Sequence, residues 1–541
     1  MKNMILTFLA LALTGTLNAK IISVDVPSVA REYSKIECTV TLEGEWDNPY
    51  LQEQAALDMI LTSPSGKTLR LPCWYESGES GEPSIWRARF AAQETGTYSY
   101  VFRYSEAGDM VSESVSGRLK ITSGKGHGIL HTNDNWTLKY DDGTLYRGVA
   151  ENICWESRDN DDSKFFDGLH EQADRFNYQK MLRKFAENGG DFVRVWMCSW
   201  NFPIDRQRDF NNSRYKETSD YMNRSAIEHL DEVLSLAEEL DIKFMLCMGP
   251  GNVHTGREFF VSEDAKLRYR NYLRYIVARW GYSGSIGMWE FFNEIDNIQF
   301  RDRHNPIPAE DIVAWHTEMS SYLKSIDPYD HIVTTSISHR DLQGLNSVPD
   351  LDINQKHIYN STSSIPGTIV NYEERFGKPY VIGEFGREWD WSKNFDDFAD
   401  EMKADFRRGL WYGVFSPTPI TPMSWWWEYF DERGMVPYFR AVRKVSDMML
   451  SESGGNFVPV EVSAAGGESF ALRCGKKTYV YVYNPSLEAV TSIKVAADGS
   501  RISAFDFDKL KFRRLSSGRF DGNVEIECSI PQLGEALYVI E

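Results

Sequence analysis

Apolar strands alternate with amphipathic helices along the middle of the chain, and this feature constrains the fold most. The strand-like segments are "LYRGVA", "DFVRVWM", "DIKFMLCM", "IGMWEFF", "HIVTTSIS", "INQKHIY", "KPYVIGEFG" and "TPMSWWW". Strands that alternate with helices form parallel sheets, and eight such units close into a barrel. An open doubly wound sheet is the alternative, but no glycine-rich phosphate loop supports it. The sequence therefore predicts a central (β/α)8 TIM barrel over residues 144–452.

The two flanking regions carry a different pattern. Residues 20–122 contain short alternating runs such as "WRARFAA" and "YSYVFRYS", separated by Gly, Ser and Pro. This pattern predicts an N-terminal immunoglobulin-like β-sandwich, and residues 123–143 are predicted as a linker leading into the barrel. The runs "TYVYVYNPS" and "EALYVIE" predict a C-terminal β-sandwich over residues 457–541. The predicted fold class is therefore multidomain, with α/β and all-β parts.

The first 19 residues, "MKNMILTFLALALTGTLNA", have the layout of a signal peptide. A lysine precedes a short apolar run, and small or polar residues follow it. The run is too short to span a bilayer, and no later segment reaches about 18 apolar residues. We therefore expect an exported protein, periplasmic or extracellular, without a membrane span.

The charge of the chain narrows the choice of partner. With 59 Lys and Arg against 79 Asp and Glu, the formal net charge is -20. Nucleic acids and anionic membranes are bound by clustered cationic side chains, so both are disfavoured and a neutral substrate is favoured. No pattern indicates an oligomeric state.

Seven cysteines allow at most a partial disulfide framework. Cys38 with Cys73, and Cys474 with Cys528, are possible pairs in the end domains. The other three cysteines lie on apolar stretches and are interpreted as small packed hydrophobic residues.

Polar and aromatic residues gather at the predicted strand ends, where barrels of this kind place their chemistry. These residues are Arg194, Asn293, Glu294, His357, Tyr359, Glu384, Trp425 and Trp427. Glu294 and Glu384 stand about three βα units apart, which assigns them to strands four and seven and makes them face each other across the barrel mouth. Two facing carboxylates suit the cleavage of a glycosidic bond, because one protonates the leaving oxygen and the other meets the developing positive charge.

Other interpretations of these acids remain open. Glu294, Glu384 and Arg194 could form a satisfied core ion network. Strand alternation places Glu290 on the same side as Glu294 but deeper, so Glu290 is interpreted as a barrel-interior group. A metal-dependent hydrolase would need a His-x-His pair on the first strand, which "RGVAENICW" lacks. The acidic loop 156–168 could hold Ca²⁺, but it is interpreted as a solvated loop. No metal or cofactor is expected.

Five motifs carry a family resemblance. "VRVW", "WEFFNE", "HIY", "IGEFG" and a tryptophan-ended eighth strand resemble the retaining glycoside hydrolases of clan A, most closely glycoside hydrolase family 5, over about residues 144–452. The resemblance implies that Glu294 is the general acid/base and Glu384 is a nucleophile that forms a covalent glycosyl-enzyme intermediate. With Glu384 ionised nearby, Glu294 is expected to have a raised pKa and to stay protonated near neutral pH.

The same resemblance implies roles for neighbouring residues. Asn293 would bind the sugar 2-hydroxyl, while Arg194 and Tyr359 would hold Glu384 ionised and oriented. His357 would lie at the rim as a substrate contact. The predicted site therefore surrounds the two acids with groups from several strands.

Aromatic and loop positions complete the predicted site. By the resemblance, Trp427, and with it Trp425, would stack on the sugar at the cleavage point. Two departures stand out: Ile295 follows the Asn-Glu pair where the family commonly has Pro, and "CMGPGNVH" has no clear third-strand histidine. His254, from the following loop, could replace that histidine.

Further tryptophans follow several strands and predict an extended cleft. They are Trp155, Trp200, Trp389 and Trp391. Rings stack on pyranose faces, so these residues favour a β-linked oligo- or polysaccharide as substrate. Alternatively they pack loops onto the rim of an exo-acting pocket for short glycosides. A non-catalytic carbohydrate-binding barrel is disfavoured because both acids are present, and the identity of the sugar stays open.

Overall fold

The computed structural model describes residues 19–157, 176–210, 212–249, 255–388, 390 and 392–541. They form two compact units. The first consists of residues up to Lys125 together with Asn271–Tyr282, and the second consists of Gly126–Arg270 and Ser283–Glu541. Among the described residues, no helix combines the length and the hydropathy that a membrane crossing requires.

The first unit is built mainly from strands, as its alternating pattern predicts. Its strands are β1 Lys20–Asp25, β2 Val29–Arg31, β3 Ile36–Glu43, β4 Ala55–Thr62, β5 Thr68–Pro72, β6 Trp74–Ser77, β7 Ser84–Phe90, β8 Gly96–Glu106, β9 Asp109–Glu113 and β10 Gly117–Thr122. They form two sheets in the orders β1-β3-β7-β6 and β2-β10-β8-β4-β5, with β9 paired to β8. In β3 every second side chain is buried, which is the period of a strand with one face on a core.

The second unit begins with a small antiparallel sheet where the sequence predicts a linker. Its strands are β11 Leu130–Thr132, β12 Leu138–Tyr140 and β13 Leu145–Tyr146. Leu130, Leu138, Tyr140 and Tyr146 belong to the same buried cluster as apolar residues of the parallel strands that follow. The predicted linker and barrel entry, residues 123–143, thus contains part of this sheet, because the short alternation in "LKY" buries two side chains around the exposed Lys139.

Parallel strands form the centre of the second unit. They are β14 Ala150–Asn152, β15 Phe192–Trp196, β16 Lys243–Cys247, β17 Ile286–Glu290, β18 Ile332–Thr334, β19 Ser336–Ile337, β20 Asn354–Tyr359 and β21 Tyr380–Gly386. Strands β14 to β18 form one sheet in sequence order, and β19 to β21 form another. The predicted strand "HIVTTSIS" is thus interrupted at Thr335.

The predicted last strand, "TPMSWWW", is shorter than expected. Isolated parallel bridges join Ile420 to Gly148 and Ser424 to Phe385, so this segment contacts both the β14 and the β21 side of the sheets. Trp427 is the first residue of a helix and not a strand residue.

Helices alternate with the parallel strands, as predicted. They are α1 Tyr178–Glu187, α2 Arg224–Leu240, α3 Arg257–Val261, α4 Glu263–Trp280, α5 Ile295–Gln299, α6 Ala309–Ile326, α7 Ile365–Phe376, α8 Ala399–Val414, α9 Trp427–Glu432 and α10 Phe439–Ser453. Short 3-10 helices span Leu345–Ser347, Thr362–Ser364, Phe395–Phe398 and Val436–Tyr438. Two helices have a side-chain cap at their start: the Asn177 and Asn223 side chains accept backbone N–H groups at the first turns of α1 and α2.

The C-terminal region is a second all-β part. Its strands are β22 Phe457–Pro459, β23 Val462–Ala464, β24 Glu468–Cys474, β25 Lys477–Tyr483, β26 Val490–Val495, β27 Gly499–Asp506, β28 Lys511–Phe520, β29 Val524–Ile530 and β30 Glu535–Ile540. They form sheets in the orders β22-β24-β25-β30-β27-β28 and β23-β26-β29. Trp411 of α8 stacks on Tyr481 at 5.6 Å between ring centroids, and Arg407 pairs with Glu535 at 3.0 Å. These contacts fix the C-terminal sheets to the α/β part of the same unit.

All seven cysteines have free thiols, so neither possible disulfide is formed. Cys154, Cys198 and Cys247 are buried, as their apolar surroundings predict.

Candidate active site

A fully buried arginine connects the polar groups at the strand ends. From β15, Arg194 donates Nε and Nη2 to Glu290 at 2.6 and 2.8 Å, Nη1 to Glu384 at 2.5 Å and Nη2 to Asn293 at 2.8 Å. Burial opposes its charge, but Glu290 and Glu384 outweigh burial and raise the pKa of Arg194 further above its ordinary value. Glu290 is completely buried, as the strand alternation predicts, and it holds Arg194 in a two-point contact.

Both oxygens of Glu384 are occupied by donors. Oε1 accepts from Arg194, and Oε2 accepts from the hydroxyl of Tyr359. His357 Nδ1 lies 3.3 Å from the same Oε2. Burial and the nearby charge of Glu384 raise the pKa of Tyr359, which keeps this phenol neutral and able to donate. Glu384 is therefore oriented as an acceptor by three side chains.

His357 lies between the two acids and not at the rim, so the rim prediction is wrong. A register shift between Lys356 and His357 aligns His357 with Glu384 in the neighbouring strand, and the imidazole side chain is fully buried. Its Nδ1 is 2.9 Å from Glu294 Oε1. Burial lowers the pKa of His357, but the charge of Glu384 and the hydrogen bond to Glu294 raise it to about 9. The imidazole is therefore protonated at neutral pH, and Nδ1 donates.

Glu294 follows the fourth parallel strand in a strained conformation. Its backbone is left-handed, with φ 50° and ψ 58°, and its N–H donates to Ser336 Oγ at 2.9 Å. Burial raises the pKa of Glu294, but His357, Ser338 and Asn297 donate to the carboxylate and bring the pKa down to about 2. The predicted raised pKa of Glu294 is therefore wrong, because the proton resides on His357.

The three titratable groups form one compact cluster. One carboxylate oxygen of Glu294, one of Glu384 and a ring nitrogen of His357 all lie within 4.8 Å of one another. Among described residues, this is the one group of acids, His and Cys close enough to share a metal ion. Nδ1 of His357 donates its N–H to Glu294, however, so that nitrogen is not free to act as a ligand. The arrangement instead places the hydrogen-bonded pair of His357 and Glu294, which holds one proton, beside the carboxylate of Glu384.

Five tryptophans form a continuous aromatic cluster beside these acids. The ring of Trp155 lies 5.2 Å from Trp196, 5.7 Å from Trp200, 5.5 Å from Trp425 and 5.0 Å from Trp427. All four contacts are edge-on. Because Trp155 contacts each of the other rings, Trp155 and Trp200 belong to the same cluster as Trp425 and Trp427, the tryptophans of the predicted cleavage point. The structure thus brings Trp155 and Trp200 together with Trp196, Trp425 and Trp427.

Several residues of the site were not predicted: Ser336, Ser338 and Asn297, which hydrogen-bond Glu294, and two strand-end residues, Trp196 and Asn152. Trp196 is the last residue of "VRVW", and its ring lies 5.5 Å from the guanidinium of Arg194. Asn152 ends the first parallel strand, donates Nδ2 to Gly383, Met423 and Ser424 carbonyls and receives Arg194 Nη1 at 3.4 Å. Its position at a strand end was the available signal.

Four predicted features lie outside the described residues: Trp389, Trp391, His254 and most of the acidic loop 156–168.

Part of the first unit matches a known family. Residues 29–105 match a domain of unknown function, DUF5060. This match does not reach the residues of the site.

Relatives of known name match part of the chain. Mannan endo-1,4-beta-mannosidase A of Podospora anserina is 26% identical over 273 residues, which are 42% of this chain and 70% of that protein. Mannan endo-1,4-beta-mannosidase A of Hypocrea jecorina is 30% identical over 123 residues, which are 22% of this chain and 26% of that protein. Mannan endo-1,4-beta-mannosidase F of Aspergillus fumigatus is 24% identical over 200 residues, 30% of this chain and 44% of that protein. The chain thus spans less than half of the last two.

A solved structure shares the fold over nearly the whole chain. A candidate glycoside hydrolase from Bacteroides vulgatus superposes with a TM-score of 0.63 at 14% identity, over 95% of this chain and 100% of that chain. At this identity the likeness concerns the fold alone.

Proposed function

We propose that this chain, a clan A-like glycoside hydrolase by its relatives and its fold, cleaves β-linked polysaccharides with retention of anomeric configuration. The observation that carries this proposal is the close approach of Glu294 and Glu384, with carboxylate oxygens within 4.8 Å. Retaining enzymes place their carboxyl groups about 5 to 5.5 Å apart, whereas inverting enzymes leave about 6.5 to 9.5 Å for a water molecule. The narrow gap favours direct attack by a carboxylate.

Glu384 is the proposed nucleophile. Arg194 and Tyr359 hold its two oxygens, so it is oriented toward an anomeric carbon without losing entropy at the moment of attack. Asn293 has its Oδ1 fixed by Arg194, which leaves its Nδ2 to donate to the sugar 2-hydroxyl. Trp427 and Trp425 would pack against the same sugar.

Glu294 is the proposed acid/base, and His357 supplies the proton that Glu294 lacks at rest. Transfer along the 2.9 Å contact gives a neutral carboxylic acid beside a neutral imidazole. Glu294 then protonates the leaving oxygen while Glu384 bonds to the anomeric carbon. In the second step Glu294 takes a proton from water, the hydroxide attacks the anomeric carbon, and the bond to Glu384 breaks. Each cycle returns the proton to the pair.

The fold that we infer for this chemistry is a closed (β/α)8 TIM barrel over residues 144–452, between an N-terminal immunoglobulin-like sandwich and a C-terminal β-sandwich. The bridges from residues 420 and 424 to both neighbouring strands support closure. The signal-peptide layout of residues 1–19 supports export to the periplasm or the cell exterior.

We further infer a β-1,4-mannan as the polymer. The relatives named above are mannan endo-1,4-beta-mannosidases, and the partly exposed rings of Trp155, Trp200 and Trp425 offer apolar surface to a pyranose ring. A uniformly neutral polymer also suits a chain with a net charge of -20.

The test is product analysis on a panel of β-mannan, β-glucan, galactan and xylan, followed by proton NMR of the first-formed product. We expect oligosaccharides from mannan, with the β-anomer formed first, and no activity in the Glu384→Gln variant. A first product of inverted configuration would overturn the mechanism. Release of monosaccharide alone would show an exo-acting pocket.

Azide separates the roles of the two acids. Glu294→Ala should lose activity on substrates with poor leaving groups, retain activity on activated aryl glycosides and yield a β-glycosyl azide. Glu384→Ala should lose both activities and yield at most an α-glycosyl azide. Identical behaviour of the two variants would contradict the assignment.

A further inference from the structure

Asp296 is a completely buried carboxylate in the first turn of α5, two residues after Glu294. It accepts three backbone N–H groups: Ser338 at 2.7 Å, and His339 and Arg340 at 3.0 Å each. No cationic side chain pairs with it among the described residues. A buried carboxylate is costly unless it is fully hydrogen-bonded, so these peptide groups and Asp296 hold each other in place.

The segment that Asp296 holds also touches Glu294. It follows β19, and the hydroxyl of Ser338 donates to the Glu294 carboxylate. Ser336, in β19 itself, accepts the N–H of Glu294 at 2.9 Å and donates to the carbonyl of Phe292 at 3.1 Å. Strand β19 and the residue that follows it therefore contact both the backbone and the carboxylate of Glu294.

Glu294 needs such support because its backbone is left-handed. For a residue other than glycine, this conformation is strained and persists only when the surroundings determine it. A proline after the Asn-Glu pair would stiffen the chain at that point, but this sequence has Ile295. In this chain the buried hydrogen bonds of Asp296, and not a proline, hold the start of α5.

We propose that Asp296 is a positioning residue for the proton transfer: it locks the first turn of α5 to residues 338–340, so that Glu294 and its donor Ser338 stay in register. The inference rests on the proposed role of Glu294 as acid/base. Asp296 itself does not touch the substrate or the reacting atoms.

The main variant is Asp296→Asn, which keeps the shape but turns an NH₂ group toward backbone N–H donors. We expect kcat/KM on an oligosaccharide, which has a poor leaving group, to fall about 10- to 100-fold, because a misplaced acid loses most of its effect. A 2,4-dinitrophenyl glycoside of the same sugar needs no proton and should change less than about threefold. If Asp296→Asn also slows deglycosylation, azide should restore part of the turnover of this aryl glycoside.

The matched control is Asp302→Asn. Asp302 is an exposed acid shortly after α5 that, within the part of the chain that the structure describes, accepts N–H groups of its own loop alone, from His304 at 2.9 Å and Asn305 at 3.3 Å. We expect this variant to match the unsubstituted enzyme on both substrates.

Equal losses on both substrates, or no loss on either, would overturn the inference, since a purely structural role lowers stability without changing the dependence on the leaving group. If Asp296→Asn does not fold, Ser338→Ala must show the same selective loss, and an unselective result overturns the inference. The Glu294→Ala experiment with azide is independent: its failure rejects the proposed function and this inference together. Its success with an unselective Asp296 variant rejects the inference alone.

Discussion

Replacing His357 by asparagine tests where the catalytic proton resides. Asparagine keeps a donor near the position of Nδ1 but carries no titrating proton. In the unsubstituted site the pair holds its proton on His357, whose pKa is about 9. In the variant the proton must reside on Glu294 itself. The alkaline limb of kcat/KM therefore reports which residue carries the proton in the free enzyme.

The structure sets the size of the expected change. At pH 8 about nine-tenths of the unsubstituted pairs hold a proton, given a pKa of about 9. Without the cation, the pKa of Glu294 rises from about 2 toward its ordinary value of 4.5, and burial raises it further. A limb at or below about pH 7 reduces the protonated fraction at pH 8 by about tenfold or more, which is about 1.4 kcal/mol.

The assay is kcat/KM from pH 4 to 10 on an oligosaccharide, with a 2,4-dinitrophenyl glycoside as the substrate that needs no proton. We expect the alkaline limb of His357→Asn to move down by at least about two pH units for the first substrate only. A limb that stays near pH 9 in the variant would refute the reasoning, because another group would then carry the proton.

Two further substitutions probe stability and the arginine contacts. Burial outweighs a hydrogen bond from Asn135 and raises the pKa of Glu373, in α7, to about 8. Glu373 keeps its proton up to about pH 8 in the folded protein but loses it above about pH 4.5 in the unfolded chain. The free energy of unfolding therefore falls between pH 4.5 and pH 8. Glu373→Gln should remove this fall and gain about 1 to 3 kcal/mol at pH 8 in urea unfolding, and an unchanged pH dependence would contradict this. Arg194→Lys keeps the charge but cannot reach Glu290 and Glu384 together, so we expect about 10³-fold lower kcat/KM and about 3 to 5 kcal/mol lower stability; near-native activity would count against the assigned contacts.

Strand-end positions were predictable because they follow from local pattern. Arg194 follows an apolar run, and Glu290 lies in a strand whose alternation is visible in the sequence. Local pattern alone therefore predicts that both side chains lie on buried strands, without knowledge of any distant contact. The alternation of helices and strands likewise reflects local periodicity. These parts of the prediction depend on neighbours in sequence.

Long-range pairing could not be predicted in the same way. His357 lies between the two acids only because the β20–β21 register shifts by one residue, which no local pattern reports. The pKa values of Glu294 and His357 depend on that register, so the predicted protonation state was wrong. The tryptophan cluster joins residues from three separate strand ends, and its edge-on packing follows from their tertiary arrangement.

The small sheet β11–β13 determines where this protein can be divided for study. Leu130, Leu138 and Tyr140 lie in one buried cluster with Met245 and other residues of the parallel strands. A shortened chain that begins at residue 144 would uncover this surface at about 1.5 to 3 kcal/mol for each large side chain lost, against a total stability of about 5 to 15 kcal/mol for a typical domain. Such a fragment would aggregate, and an inactive fragment would be mistaken for evidence that the catalytic region needs the N-terminal sandwich. Truncation at Gly126 keeps the whole cluster, but it takes from Asn271–Tyr282 the strands of its own unit, and with them Asp58, which pairs with Arg274 at 2.7 Å. A cut that spares both contacts is therefore not available at either position.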